Sequence, residues 1–302
     1  MALYKSLKFK AYGKLNLLLD IVGTREDGYH MLNTVMQTID AYDLIELSLG
    51  EGEGIEIVCD KEGFPCDETN LIYKAAMAFK KYTRIDFGGK LTVKVEKNLP
   101  SMAGMGGGSA DCAAMLKALN TFYATLLVEE DLVEIASGLG ADVPFCILGG
   151  TRLCQGIGDI THVLPSPDCT FTVIKPEVSI STPEAYRRYD SLPVPKRTQL
   201  DYFLRGLASG DIYSACIHMS NVLEDAAEEP EIEKAKAKLK EHGALTAVMT
   251  GSGSAVFGVF AKEEYAKAAA EKLKDEYSYC QVCRPIKQGY KLVSVEREIN
   301  EE

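Results

Sequence analysis

The stretch Leu99-Pro100-Ser101-Met102-Ala103-Gly104-Met105-Gly106-Gly107-Gly108-Ser109-Ala110-Asp111 constrains this chain more than any other. Its four glycines let backbone N–H groups approach an anion without interference from a Cβ. It runs into an Ala- and Leu-rich segment over 110–123 with helical periodicity. The unpaired amides and the positive end of that helix therefore lie behind the loop. Together they form a cradle for phosphate. The plainer alternative is a flexible loop ahead of a helix, because Gly-rich patterns recur by chance. The spacing matches neither Gly-x4-Gly-Lys-Ser/Thr nor Gly-x-Gly-x2-Gly, which argues against a Walker loop and a dinucleotide site.

What can surround such a loop is bounded by size and charge. At 302 residues the chain suits two modest domains or one large one. Thirty-three Lys and Arg against 44 Asp and Glu leave a net charge of −11. That balance argues against nucleic-acid or anionic-membrane partners, which need a basic footprint, while leaving room for a local basic pocket. Nine scattered cysteines suggest free thiols in a reducing compartment. The pair Cys280 and Cys283 lacks the second pair or nearby His of a zinc site. No apolar core follows Lys5, Lys8 and Lys10, so no signal peptide is expected. The uncharged stretch 243–261 is split by Gly251-Ser252-Gly253 and reads as strand, turn, strand. A cytoplasmic protein is expected.

Strand signals dominate the first ninety-odd residues. Residues 6–12 and 15–22 suggest neighbouring strands, and 45–49 and 91–95 alternate apolar and polar residues. Thr69 is placed to cap a helix carrying Leu71, Ile72, Ala75, Ala76 and Phe79 on one face. Further helices are expected over 129–137, 200–207, 231–241 and 263–276, with strands over 171–175, 244–249, 255–260 and 291–295. The reading is α+β throughout, with a boundary near 156–166 that divides the chain into residues 1–160 and 161–302.

Other residues invite chemistry. Asp142, in Gly140-Ala141-Asp142-Val143-Pro144, either stabilises a turn or accepts a proton from a substrate hydroxyl. Lys14 precedes the apolar run 15–19. It is either a strand-edge lysine in solvent or a partly buried cation that needs an anionic partner, with Asn16 on the same face. Gly28-Tyr29-His30 offers a ring and an imidazole to stack on and hydrogen-bond a base, or forms a capped loop. Gly251-Ser252-Gly253-Ser254 makes a plain hairpin or a second backbone surface against a ligand.

In their order along the chain, Lys14-Leu15-Asn16-Leu17, Gly28-Tyr29-His30, residues 100–114, Gly140 to Pro144 and Thr250 to Gly253 resemble the galacto-, homoserine, mevalonate and phosphomevalonate (GHMP) kinase superfamily. The first two elements are most similar to the branch that phosphorylates a diphosphocytidyl-methylerythritol in non-mevalonate isoprenoid synthesis. The resemblance implies a two-domain α+β fold with ATP and acceptor in the cleft. It implies that Asp142 takes the acceptor's proton and that Lys14 stabilises charge on the transferred group. The run Pro100 to Ala110 binds ATP, with Ser109 approaching Mg²⁺ and with Asn70 and Lys97 near the adenine end. Tyr29 and Tyr186 sandwich the cytosine, His30 reads its edge, and Asn16 holds the methylerythritol. ATP, Mg²⁺ and a small-molecule acceptor are the implied partners of a monomer or weak homodimer. Another GHMP-type kinase and a non-catalytic nucleotide-binding regulator are the alternatives. The chain departs from the usual motif at Tyr12-Gly13, at Ala110 and at Ser254.

Overall fold

The computed structural model describes residues 4–158 and 160–297. Two long strands open it, β1 (Ser6–Thr24) and β2 (His30–Gly50). Then come β3 (Ile55–Val58), α1 (Leu71–Thr83), β4 (Lys90–Glu96), α2 (Gly107–Phe122), α3 (Glu129–Ser137) and α4 (Val143–Leu148). The next elements are β5 (Thr151–Gly156), β6 (Ile160–Val163), β7 (Thr170–Lys175), α5 (Thr182–Asp190), α6 (Leu200–Ala208) and α7 (Ile212–His218). The short β8 (Ser220–Asn221) leads into α8 (Leu223–Ala227) and α9 (Pro230–Glu241). The chain closes with β9 (Thr246–Met249), β10 (Val256–Phe260), α10 (Glu263–Leu273), β11 (Tyr279–Cys283) and β12 (Tyr290–Glu296).

Among the described residues the strands form two sheets. The larger runs β12-β1-β2-β4-β3, with β5, β6 and β8 attached to its flank, and the smaller is antiparallel in the order β11-β7-β10-β9. Two elements from beyond residue 160, β8 and β12, pair with β1, so the sheets do not divide along the chain at the expected boundary.

The far half of β2 shows the two-residue period of a sheet with one covered face: Ala41, Asp43, Ile45 and Leu47 are buried and their neighbours are half-exposed. α1 and α2 cover that face, with Ile72, Phe79, Leu116 and Phe122 in one cluster with Ile45 and Leu47. Cutting Phe79 or Phe122 back to alanine costs about 3–5 kcal/mol by the usual transfer and cavity terms. The middle of β1 behaves differently, since every residue from Ala11 to Asp20 is buried. Its second face packs against the smaller sheet and α6, where Leu15 and Leu17 share a cluster with Phe171 and Phe257 of the sheet and Phe203 of the helix. This double cover buries Lys14 and excludes the strand-edge alternative.

Several expected elements change. Residues 6–12 and 15–22 are one continuous strand, because the ladder to β2 absorbs its irregularity as a register shift between Tyr12 and Lys14. Asn70, not Thr69, caps α1: its Oδ1 accepts the Ile72 N–H at 2.8 Å, while the Thr69 amide turns back to Asp67. The helix expected over 263–276 ends at Leu273.

Candidate active site

A cavity of about 1140 Å³ is lined by β1, β2, the glycine-rich loop, the start of α5 and the 251–253 turn. Every residue nominated from the sequence lines it, with one exception, Ala110. Ala110 is fully buried in the core beneath α2, and its amide donates to the Gly106 carbonyl at 2.8 Å. Neither its side chain nor its N–H is available to a phosphate, so its expected contact with ATP is corrected.

The glycine-rich loop is fastened on three sides. Lys14 N donates to the Met105 carbonyl at 2.9 Å, joining the loop to β1. Ser254 and Ala255 donate to the carbonyls of Met102 and Ala103, and the Thr250 hydroxyl donates to the Gly104 carbonyl at 3.2 Å. Asp43 accepts the amides of Asn98 and Leu99 at 2.7 and 2.8 Å. Gly104 and Gly106 both adopt φ of +71°, a conformation that side chains with a Cβ resist. Gly106 precedes the first residue of α2, and no side chain caps that helix. The first-turn amides of Gly107, Gly108 and Ser109 therefore lie in the cavity wall beside the positive end of a 16-residue helix.

Lys14 is the cation across from that helix. Its Nζ donates to Asn16 Oδ1 at 2.6 Å and lies 3.2 Å from Asp142 Oδ2. The lysine side chain is 4% exposed and that of Asp142 35%, so the carboxylate opens to the cavity while the ammonium is held from behind. Asp142 directly precedes α4, whose Pro144 lies in the first turn. Asn16 is spent on positioning, for its Nδ2 donates to Thr34 Oγ1 at 2.9 Å and its Oδ1 is taken by Lys14.

At one end of the cavity, His30 and Tyr186 lie ring to ring with centroids 4.7 Å apart. His30 Nε2 is 2.8 Å from Asp190 Oδ1, one turn along α5 from Tyr186. Burial pushes the Tyr186 hydroxyl well up, so it stays protonated. Tyr29 is mostly exposed on the rim. Without substrate, the ring that faces Tyr186 is His30, and Tyr29 lies on the rim of the same cavity. Asn70 has both ends of its amide occupied, by the α1 cap and by the Pro65 carbonyl at 2.6 Å. Lys97 commits its ammonium to Asp43 and Asp111.

Sequence reasoning missed Asp43, Asn221 and Asp190, and named Thr250 only as part of a motif. Asp43 had a readable signal, an acid on the buried phase of an alternating strand. Asn221 donates to the carbonyls of Met249 and Gly251 and so holds the turn that carries Thr250. Its role comes from a short crossing that sequence does not display. All nine cysteines are free thiols. Among the described residues no helix is long and apolar enough to cross a membrane.

Comparison with known proteins agrees with this geometry. Residues 70–150 match the model for the GHMP kinases N terminal domain, and residues 203–278 match that for the GHMP kinases C terminal. The chain is 39% identical to a 4-diphosphocytidyl-2-C-methyl-D-erythritol kinase of Clostridium kluyveri, over 92% of this chain and 99% of that protein. It is 40% identical to the protein of the same name from Caldicellulosiruptor bescii, over 89% of this chain and 94% of that one. A solved 4-(cytidine 5'-diphospho)-2C-methyl-D-erythritol kinase superposes with a TM-score of 0.78 at 29% identity, over 92% and 98% of the two chains. Homoserine kinase from Cytophaga hutchinsonii shares the fold, with a TM-score of 0.75 at 21% identity over 96% and 98%. With a helix-end phosphate cradle, a paired lysine and aspartate and this degree of likeness, the chain belongs to the 4-diphosphocytidyl-2-C-methyl-D-erythritol kinase family of GHMP kinases.

Proposed function

We propose that this chain transfers the γ-phosphoryl group of ATP to the 2-hydroxyl of 4-diphosphocytidyl-2-C-methyl-D-erythritol, giving the 2-phosphate and ADP. The observation that carries the reading is the Lys14–Asp142 pair at 3.2 Å, set in one cavity with the uncapped start of α2 and the His30–Tyr186 rings.

Phosphoryl transfer asks a protein for positioning and charge neutralisation more than for covalent chemistry. The amides of Gly107, Gly108 and Ser109, fixed before substrate arrives, bind phosphate oxygens at no cost of reorganisation. Asp142 accepts the hydroxyl proton as the acceptor oxygen bonds to phosphorus and the bond to ADP breaks. Lys14 neutralises charge building on the transferred group. Asn16, itself anchored on Thr34, holds Lys14 from behind, so the ammonium stays aimed as charge develops.

His30 donates Nε2–H to Asp190, which leaves Nδ1 for the edge of the cytosine, and Tyr186 and Tyr29 supply ring surface. Asn70 and Lys97 border the adenine end as wall residues.

The donor set suits Mg²⁺ carried in on the nucleotide. Ser109 offers one neutral oxygen beside the phosphates, and the described residues hold no cluster of three acids, histidines or cysteines that would cage a metal. When bound beside Ser109, the ion would supply Lewis-acid neutralisation of phosphate charge. Free thiols throughout fit a cytoplasmic enzyme, which we take to act as a monomer or weak homodimer.

ADP release measured with ATP, Mg²⁺ and the cytidyl substrate, beside homoserine, mevalonate and galactose, tests the reading. Turnover of the cytidyl compound alone supports it. Turnover of another alcohol discards the cytosine arm, and no turnover of any of them leaves a nucleotide-binding regulator.

A further inference from the structure

Asn221 and Thr250 are buried behind the site, and neither belongs to the cavity wall. β8, which carries Asn221, runs parallel to β1 beside Leu18 and Leu19, and the Val222 amide donates to the Leu19 carbonyl at 3.0 Å. The Leu223 amide donates to Asn221 Oδ1 at 3.0 Å, which orients the side-chain amide. Its Nδ2 then donates to the carbonyls of Met249 and Gly251, at 2.8 and 2.7 Å. Those two carbonyls flank Thr250. A further hold comes from Glu224, whose Oε1 accepts the Met249 amide at 2.7 Å while Oε2 accepts from Lys236 at 2.6 Å.

The bracketed residue touches both halves of the chemistry. The Thr250 hydroxyl accepts the Asn16 amide at 3.0 Å and donates to the Gly104 carbonyl at 3.2 Å. Asn16 Oδ1 in turn accepts from Lys14 Nζ at 2.6 Å. A Cβ on Gly251 would lie 3.0 Å from the Gly104 carbonyl and 3.4 Å from Lys14 Nζ, so the turn presses on the phosphate loop and on the ammonium together. We propose that Asn221 is a positioning residue for phosphoryl transfer, and that by bracketing Thr250 it sets the phosphate loop and Lys14 relative to each other. The inference deepens the kinase reading and rests on it.

The physical case lies in the two donors. An asparagine amide has two N–H groups, and here each finds a carbonyl on one side of the same residue. Without them two buried carbonyls lose a partner, and the turn relaxes toward others. A shift of the turn moves the Thr250 hydroxyl, and with it Gly104 and Asn16. The transferred group is held between the cradle amides and Lys14, so a displacement of one against the other falls on the transfer step. The cytidyl end meets the turn through the exposed contact of Thr182 Oγ1 with Ser252 Oγ at 2.9 Å, outside the bracket, and should move little.

The test combines steady-state kinetics on ATP and the cytidyl substrate with calorimetric titration of ATP. The proteins are the wild type, Asn221→Ala, Thr250→Val, Thr250→Ser and the double variant Asn221→Ala with Thr250→Val. Valine removes the hydroxyl at nearly constant shape, and serine restores it. Asn221→Ala and Thr250→Val should each lower kcat by about 10- to 100-fold. Each should weaken ATP binding by about 5- to 10-fold, while KM for the cytidyl substrate stays within about twofold. The double variant should lose about as much as the worse single variant, because Asn221 acts through Thr250. Thr250→Ser should stay within about threefold of wild type. Losses that multiply in the double variant overturn the proposal, as does wild-type kcat in Asn221→Ala. A fall in kcat with both KM values and ATP affinity unchanged marks a loss of folded protein only and overturns it too. If Asn221→Ala fails to fold, Thr250→Val and Thr250→Ser decide, since equal kcat in those two sinks the idea. A wild type that turns over no alcohol removes the kinase reading and this inference with it, whereas an active wild type with unaltered variants removes this inference alone.

Discussion

Lys14 Nζ stands 3.2 Å from Asp142 Oδ2, although one residue belongs to the first strand and the other opens a helix beyond the middle of the N-terminal half. The ammonium is buried and further fixed by Asn16, whereas a third of the carboxylate side chain is open. That asymmetry suits a base that must reach substrate beside a cation that must not move. Asp142→Asn should lower kcat by about 10²–10⁴ while ATP affinity stays within a few-fold. Lys14→Met should lower kcat by about 10²–10³. Because the two act on one transfer, the double variant should lose less than the product of the single losses. Steady-state ADP release with a separate ATP-binding titration measures this, and an Asp142→Asn enzyme near wild-type kcat would remove the proposed base.

Two glycines of the loop should separate cleanly. Gly104 has φ of +71° and a Cβ there would run into the Thr250 carbonyl, so Gly104→Ala should cost on the order of 3 kcal/mol and abolish ATP binding. Gly108 lies in the first turn of α2, where the nearest atom to a new Cβ is Leu71 Cδ1 at 3.8 Å. Gly108→Ala should stay within about 1 kcal/mol of wild type. Urea unfolding midpoints compare the two, and equal stabilities would contradict the close packing of the loop on the 250–253 turn.

Asp190 should matter to the cytidyl substrate and not to ATP. It holds His30 Nε2 at 2.8 Å, and Asp190→Ala frees the ring to turn and to change tautomer. Loss of a charge-assisted hydrogen bond worth about 1–2 kcal/mol predicts a rise of roughly 5- to 30-fold in KM for the cytidyl substrate. KM for ATP measured in parallel is the control, and a matching rise there would mean that the change is a general one.

Asp111 also gives stability a pH signature. Its carboxyl goes from an ordinary 3.8 to about 7 on folding, so the folded protein holds this proton more tightly than the unfolded chain. Its contribution is full below pH about 4 and is lost as pH rises through about 7, up to a few kcal/mol. Unfolding free energies at acid and alkaline pH should differ less in Asp111→Asn than in the wild type. An unchanged difference would place the titration elsewhere.

The thiols should divide by exposure. Cys66 is exposed, whereas Cys112, Cys146 and Cys283 are buried with their thiols pushed up by desolvation. A chromogenic disulfide reagent should label Cys66 first in the native protein and all nine cysteines after unfolding. Rapid native labelling of Cys112 would mean that the buried face of α2 opens.

Local patterns told most about the elements whose environment is simple. The glycine run and the start of α2 were legible because a loop without Cβ atoms followed by helix formers has few other uses. The strand 91–95 was legible because one face is covered and the residues alternate. The first half of β2 was not, because residues 35–39 are buried on both faces and lose the two-residue period. Asn16, Asn70 and Lys97, read as contacts of substrate and adenine, line the cavity, and their polar ends are taken up by Thr34, the α1 cap, Asp43 and Asp111. Ala110 failed for a related reason, since one more step along the helix turns a side chain from the cradle into the core.

The chain order by itself determined the phosphate loop, the helix behind it and the set of residues able to do acid–base work, since backbone freedom and helix periodicity depend on near neighbours. Only the tertiary structure decided which of those residues meet. Lys14 reaches Asp142, and Asp43 reaches Lys97 and Asp111, because sheets and helices from distant segments close over β1 and β2. Burial there forces each polar group to find a partner, and that requirement acts through space and not along the chain.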